Sequence, residues 1–373
     1  MAGVVKVRLP DGSTRELPDG TTGLGLAESI GPRLAKAAVA IEVNGALRDL
    51  TTVLDDGTQV AIVTEDSDAG RSVLRHSTAH VLAQAVTDLW PGAEYAIGPA
   101  IADGFYYDFE LPGGAHFADA DLERIENRMR EIVKEDQSFE REEHTIAEGL
   151  RIFSDQPFKR EIIDGVSSGE RLGLDASGDM VGRHVTVYRN PSGFVDLCRG
   201  PHVPSTKRLG HFKLQRLAGA YWRGDEKRPQ LQRIYGTAWE SESALADYLH
   251  RLEEAERRDH RRLGAELDLF SFPSEIGSGL PIFHAKGGLV RHFMEDDSLR
   301  RHLASGYEVV SSPHITKGEL FEISGHLDWY AESMFPPMEL DEGQRYYVKP
   351  MNCPFHILVY RSRQRSYRDL PMR

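Results

Sequence analysis

The sequence predicts a multidomain α+β chain, and three observations carry that prediction. Its 373 residues, 40% hydrophobic and 28% charged, have an ordinary globular composition and enough length for two or three domains. Strand-like and helix-like periodicities follow one another without strict βαβ alternation. Two stretches unlike their surroundings, a small polar one at 66–70 and a long Glu- and Arg-rich one at 241–267, divide the chain.

The elements follow in order. Val4, Val5, Val7 and Leu9 read as a short strand closed by a Pro-Asp-Gly turn at 10–12. A helical pattern over 24–38 either stops near Gly31-Pro32 or resumes after it, since proline suits a first helical turn. Residues 40–43 form a strand, Asn44-Gly45 a hairpin turn, and 60–63 another strand. Strands wrapped on one helix within about sixty residues describe a β-grasp-like module at 1–65, with 66–70 as a linker. The second domain spans 71–240. It opens with a helix over 73–89, in which Leu74, Val81, Leu82 and Val86 recur at helical spacing. A strand over 104–109, an amphipathic helix over 119–135 with Leu122, Ile125, Met129 and Ile132 on one side, and strands over 185–188 and 194–197 follow. Residues 241–267 read as one long helix capped by Ser241. From 268 to 373, short apolar segments at 280–283, 307–310 and 346–348 begin a third, α+β domain.

The net charge of −13 argues against a uniformly basic nucleic-acid surface, although local clusters matter more than the sum. The 256–262 stretch and the group Arg361, Arg363, Arg365, Arg368 and Arg373 are such clusters. The apolar runs are too short to span a membrane, and the first thirty residues lack the apolar core of a secretory signal. Cys198 and Cys353 therefore read as reduced thiols of a cytoplasmic protein.

Two motifs carry chemistry. His76 and His80, inside the 73–89 helix, are four residues apart and so share a helical face. Cys198 and His202 flank a Gly200-Pro201 step that breaks regular structure, with Asp196 just before them. Converged, the two pairs make a cleft of imidazoles and a thiol. Three readings compete: a tetrahedral zinc site, metal-free hydrolysis in which a histidine activates water near neutral pH, and purely structural histidines. Spacing alone does not choose among them.

These residues resemble the threonyl-tRNA synthetase family. His76 to His80 resembles the HxxxH element of its editing domain, and the segments 196–204, 220–225 and 231–239 match the same domain in order. Lys349 to Pro354 resembles the start of the family's motif 2, with 366–371 its continuation. The resemblance implies a β-grasp (TGS) domain, an editing domain shared with alanyl-tRNA synthetases, and an incomplete class II antiparallel-sheet catalytic domain. It implies a threonine–tRNA ligase that uses ATP and magnesium, acts on tRNA-Thr as a homodimer and hydrolyses mischarged seryl-tRNA. Carried over, His76 activates or orients water, Lys159 lies near the scissile ester, Asp196 reads the substrate amino group, and His80, Cys198 and His202 shape the pocket. The resemblance implies that this editing needs no metal, whereas Cys353 matches a zinc ligand of the aminoacylation site and Pro313 a dimer-interface proline. Phe355 and Leu327 depart from the family's usual glycine and tryptophan. The ATP-gripping arginine and the two zinc histidines fall outside the 373 residues. Editing without aminoacylation is the expectation, with poor stability beyond about residue 270. A standalone deacylase and a non-catalytic RNA-binding module are the alternatives.

Overall fold

Val5 and Val7 are buried and their neighbours Val4, Lys6 and Arg8 exposed, the period-two pattern of a strand with one face on a core. The structure is a computed structural model and describes residues 3–167, 184–340 and 343–373. It divides into two compact units, Met1–Glu254 and Ala255–Arg373.

In the first unit, β1 (Val4–Arg8) pairs antiparallel with β2 (Thr14–Pro18). Helices α1 (Gly23–Ile30) and α2 (Pro32–Ala37) follow, with Pro32 at the first position of the second helix, so the helical pattern does resume after Gly31-Pro32. Strands β3 (Ala38–Val43), β4 (Ala46–Arg48) and β5 (Val60–Thr64) form a sheet in the order β4-β3-β5. Their core is Val5, Val7, Leu17, Leu26, Ile41, Leu50, Leu54 and Val60. Asn44 and Gly45 both have positive φ, as the tight turn between β3 and β4 requires.

The linker expected at 66–70 is instead the start of α3 (Asp68–Leu89): Ser67 Oγ accepts from Gly70 N at 3.0 Å and caps it. Gly70 sits so close to β5 that a Cβ there would lie 1.9 Å from the Thr64 carbonyl oxygen. Val39, Ala40 and Val63 of the small sheet join the same core as Leu74, Val81 and Leu82 of α3. The β-grasp module and the helix bearing His76 and His80 are thus packed together.

Strands β6 (Glu94–Tyr95), β7 (Ala100–Ile101) and β8 (Gly104–Glu110) come next, then α4 (Asp119–Lys134). Strand β9 (Glu140–Thr145) leads to α5 (Ile146–Ile152) and α6 (Pro157–Ser167). Strands β10 (His184–Arg189), β11 (Val195–Leu197), β12 (Phe212–Tyr221) and β13 (Gln230–Ala238) follow. The main antiparallel sheet runs β12-β13-β8-β6 with β7 on β8, and a second runs β11-β10-β9. Phe105, Tyr107 and Phe109 on one face of β8 join Leu74, Val81, Ile125, Met129 and Ile132 of α3 and α4 in the main core. Burying each such side chain contributes about 1.5–3 kcal/mol. Phe158 of α6 packs with Ala96, Trp222 and Leu231, which sets α6 beside the start of β6–β8.

The single helix expected over 241–267 is two: α7 (Glu242–Arg257), capped at Ser241 as its sequence indicates, and α8 (His260–Glu266). Asp259 stops the first and caps the second, its carboxylate accepting from Arg261 N at 2.8 Å. Described by itself, the second unit holds α8, the hairpin β14 (Phe270–Ser271) and β15 (Ile282–Phe283), and α9 (Ala285–Ala304). It continues with β16 (Ile315–Lys317), α10 (Gly318–Ile323), α11 (His326–Trp329), β17 (Met338–Glu339), β18 (Arg345–Val348) and α12 (Cys353–Arg361), the sheet running β16-β18-β17. Residues 307–310 form no strand; Glu308 N bonds instead to the Arg373 carbonyl at 2.9 Å. Among the described residues, Phe321 and Phe355 are its buried large apolar side chains, while Phe293, Met294, Ile323, Trp329 and Phe335 are exposed.

Candidate hydrolytic site

The site is assembled from four elements. α3 presents His76 and His80 one turn apart, their ring centroids 5.1 Å from each other. β11 supplies Asp196 and the turn after it Cys198 and His202, β8 supplies Tyr107, and α6 supplies Lys159. All six residues singled out from the sequence for this site converge. Cys198 Sγ is 3.1 Å from His76 Nε2 and 3.3 Å from His202 Nε2. The His202 ring centroid lies 4.5 Å from that of His76 and 4.1 Å from that of His80.

The cluster has a floor and a rim. In the floor, Lys159 Nζ contacts Asp196 Oδ1 at 2.5 Å and donates to Tyr107 Oη at 3.0 Å. Tyr107 in turn donates to Asp196 Oδ2 at 2.6 Å, and His80 Nε2 lies 3.3 Å from the same oxygen. Lys159, Asp196, His80, Tyr107 and His202 are all buried, whereas His76 and Cys198 keep partial exposure. The site therefore opens to solvent on the side of the residues His76 and Cys198. Lys159 turns two of its three N–H donors to Asp196 and Tyr107.

Electrostatics fix the protonation states. Burial pushes the His80 imidazole down to about 3, outweighing the pull of Asp196 in the other direction. Burial also holds His202 well below its ordinary range, helped by the neighbouring imidazoles. Burial alone would raise Asp196, but Lys159, His80 and its hydrogen bonds hold it below the usual carboxylate range. Burial pushes the Cys198 thiol up, with Asp196 adding to the shift. At neutral pH the site holds an ionised Asp196 against Lys159, neutral His80 and His202, and a protonated thiol. A protonated thiol is a poor nucleophile, so the arrangement favours attack by water over attack by Cys198.

His76, His80, Cys198 and His202 offer ligand atoms within 4.8 Å of one another, the right type and spacing to hold a zinc ion as a Lewis acid. Holding it would require Cys198 to surrender its proton. His80 would meet it with one nitrogen already facing Asp196 and the other, Nδ1, buried without a hydrogen-bond partner. Cys353 is exposed and belongs to no such cluster among the described residues.

Four partners were not read from the sequence. Ser77 Oγ accepts from Val203 N at 3.1 Å and lies 3.0 Å from His202 Nδ1, fixing that ring. Phe139 stacks on the same ring with centroids 4.8 Å apart. Tyr107 holds the floor, and Asp49 reaches in from the β-grasp module. Ser77 lies within the His76–His80 motif and Tyr107 within an alternating strand, so each had a local signal; Phe139 and Asp49 had none.

Comparison with known proteins places these residues in context. The model of the "Threonyl and Alanyl tRNA synthetase second additional domain" matches residues 185–235, which include Asp196, Cys198 and His202. The TGS domain model matches residues 5–64. The chain is 54% identical over 344 residues to a threonine–tRNA ligase of Parafrankia sp., covering 91% of this chain and 52% of that protein. It is 50% identical over 389 residues to one from Mycobacterium bovis, covering 99% and 54%. It is 52% identical over 369 residues to one from Acidithiobacillus ferrooxidans, covering 98% and 55%. The chain spans about half the length of the curated relatives it matches.

Proposed function

We propose that this chain, which belongs to the threonyl-tRNA synthetase family, hydrolyses seryl esters of tRNA at the His76–Cys198 cluster. The observation that carries the reading is the convergence of His76, His80, Cys198 and His202 over the buried Lys159–Asp196 pair. Water attacks the ester carbonyl while the partly exposed His76 orients it and takes its proton; the ester C–O bond then breaks and His76 gives that proton to the departing ribose oxygen, leaving serine and a free tRNA hydroxyl. Lys159 supplies the donor for the negative charge that develops on oxygen, Asp196 and Tyr107 hold it in place, and Asp196 attracts the substrate's amino group. The need for such a site is physical. Serine is threonine less one methyl, which a single pocket separates by only about 1–3 kcal/mol, so a second pocket that excludes the methyl by clash raises selectivity. In this reading water is the nucleophile and no metal is needed, with one His80 nitrogen turned toward Asp196. Deacylation of seryl-tRNA by the purified chain is the test: His76→Ala lowers the rate by about 10²–10⁴-fold, the usual contribution of a general base. Equal rates in variant and wild type contradict the assignment. Binding of tRNA without hydrolysis selects the non-catalytic RNA-binding reading.

The names of the relatives support a second, larger proposal. In it the 255–373 unit is the beginning of a class II aminoacylation domain within a threonine–tRNA ligase, with threonine, ATP, magnesium, tRNA-Thr and a second copy as its partners. Cys353 would there be one zinc ligand. The 373 residues are then competent for hydrolysis and not for ligation; threonine-dependent ATP–pyrophosphate exchange by this chain would refute that division.

A further inference from the structure

We infer that Asp49, contributed by the β-grasp module, is a positioning residue of the hydrolytic site; the inference rests on the hydrolytic reading above. Asp49 follows β4, and the next residue, Leu50, is buried in the small module's core and held there by Leu24 N donating to its carbonyl at 2.9 Å. The carboxyl group is therefore presented from a fixed loop. Its Oδ1 accepts from His202 N at 2.8 Å and its Oδ2 from the Tyr188 hydroxyl at 2.6 Å. These bonds join residues 153 and 139 positions apart. Both partners shape the turn that bears Cys198 and His202. Tyr188 packs edge-on against the His202 ring with centroids 4.4 Å apart. Its hydroxyl also lies against Gly200, where an added Cβ would come within 2.0 Å of it. Gly200 has φ +71 and its N–H donates to Cys198 Sγ at 3.1 Å.

One carboxyl group thus fixes the backbone of His202 and the aromatic wall behind it, and through Gly200 the thiol that faces His76. Without Asp49, His202 N and the Tyr188 hydroxyl lose their shared acceptor, and the turn can move relative to α3. Small displacements of reacting groups cost large factors in rate, so a module matched as a TGS domain becomes part of the site's geometry.

The test uses the 373-residue chain with Asp49→Ala, Asp49→Asn and Tyr188→Phe, and two readouts. One is seryl-tRNA deacylation with kcat and KM separated. The other is the rate at which iodoacetamide alkylates Cys198, followed by peptide mass spectrometry so that Cys353 is scored separately. Asp49→Ala lowers kcat by about tenfold or more with KM changed less than about threefold, and speeds Cys198 alkylation by a similar factor. Asp49→Asn, which keeps an acceptor for His202 N, restores kcat to within about threefold of wild type. Wild-type kcat and wild-type alkylation in Asp49→Ala overturn the inference. Should circular dichroism show Asp49→Ala unfolded, Tyr188→Phe decides: faster Cys198 alkylation upholds the inference, and an unchanged rate overturns it. If wild type does not hydrolyse seryl-tRNA, the functional reading falls, and the alkylation rates alone still judge whether Asp49 positions the turn.

Discussion

At the scale of single residues, the Lys159–Asp196 pair decides what the site can do and how much it costs to disturb. Both side chains are buried and bonded to each other and to Tyr107. Removing one member leaves the other as an uncompensated buried charge, which typically destabilises by about 3–5 kcal/mol. Lys159→Met is therefore predicted to lower the denaturant midpoint sharply as well as activity, and Lys159→Met/Asp196→Asn to recover part of the lost stability; urea unfolding of the two variants measures both. Cys198 behaves differently. Its thiol is protonated by burial, so Cys198→Ser, which keeps a small donor at the same place, should retain deacylation to within about tenfold. A complete loss of turnover in that variant would show the sulfur to be the nucleophile.

At the scale of elements, α3 is both a core helix and the carrier of two site histidines. His80 is folded into it with an imidazole held near about 3, against an unfolded value of about 6.5. Between those values the unfolded chain binds the extra proton and the native one does not, so unfolding becomes easier as pH falls through that window. Stability from this residue is complete above about pH 6.5, and His202 acts in the same direction. Urea midpoints taken at pH 7.5 and pH 4.5 should show the drop, and a smaller one in His80→Gln. The same helix depends on a close approach at its start. Gly70→Ala puts a methyl group into the Thr64 carbonyl, and overpacking of this kind costs about 1–3 kcal/mol, readable as a lower thermal midpoint.

At the scale of the whole molecule, the two units differ in how well they bury their apolar residues. The first has continuous cores of Leu, Ile, Val, Phe and Tyr. In the second, Phe293 is 61% exposed, Met294 69%, and Ile323 and Trp329 84% each. Exposed apolar surface on this scale marks contact with other protein or a tendency to associate. The chain is predicted to self-associate with rising concentration and to enhance ANS fluorescence, whereas a chain ending at residue 254 does neither; sedimentation velocity separates the outcomes.

Much of this was fixed by local pattern. The four-residue spacing of His76 and His80 put them on one face of α3, the alternation of β8 buried Phe105, Tyr107 and Phe109, and Ser241 capped its helix, because each depends on neighbours within a turn or a strand. Asp259 shows the limit: its side chain bonds its own local backbone and breaks a run of helix formers into α7 and α8. Residues 66–70 show another, since a polar, small composition fits a linker and a helix N-terminus equally well. What only the tertiary structure decided is which distant groups meet. The Lys159–Asp196 ion pair, the depth that keeps His80 and His202 neutral and the reach of Asp49 across the module boundary all arise from chain packing. Burial and long-range contact depend on the path of the whole chain, and no short window of sequence carries them.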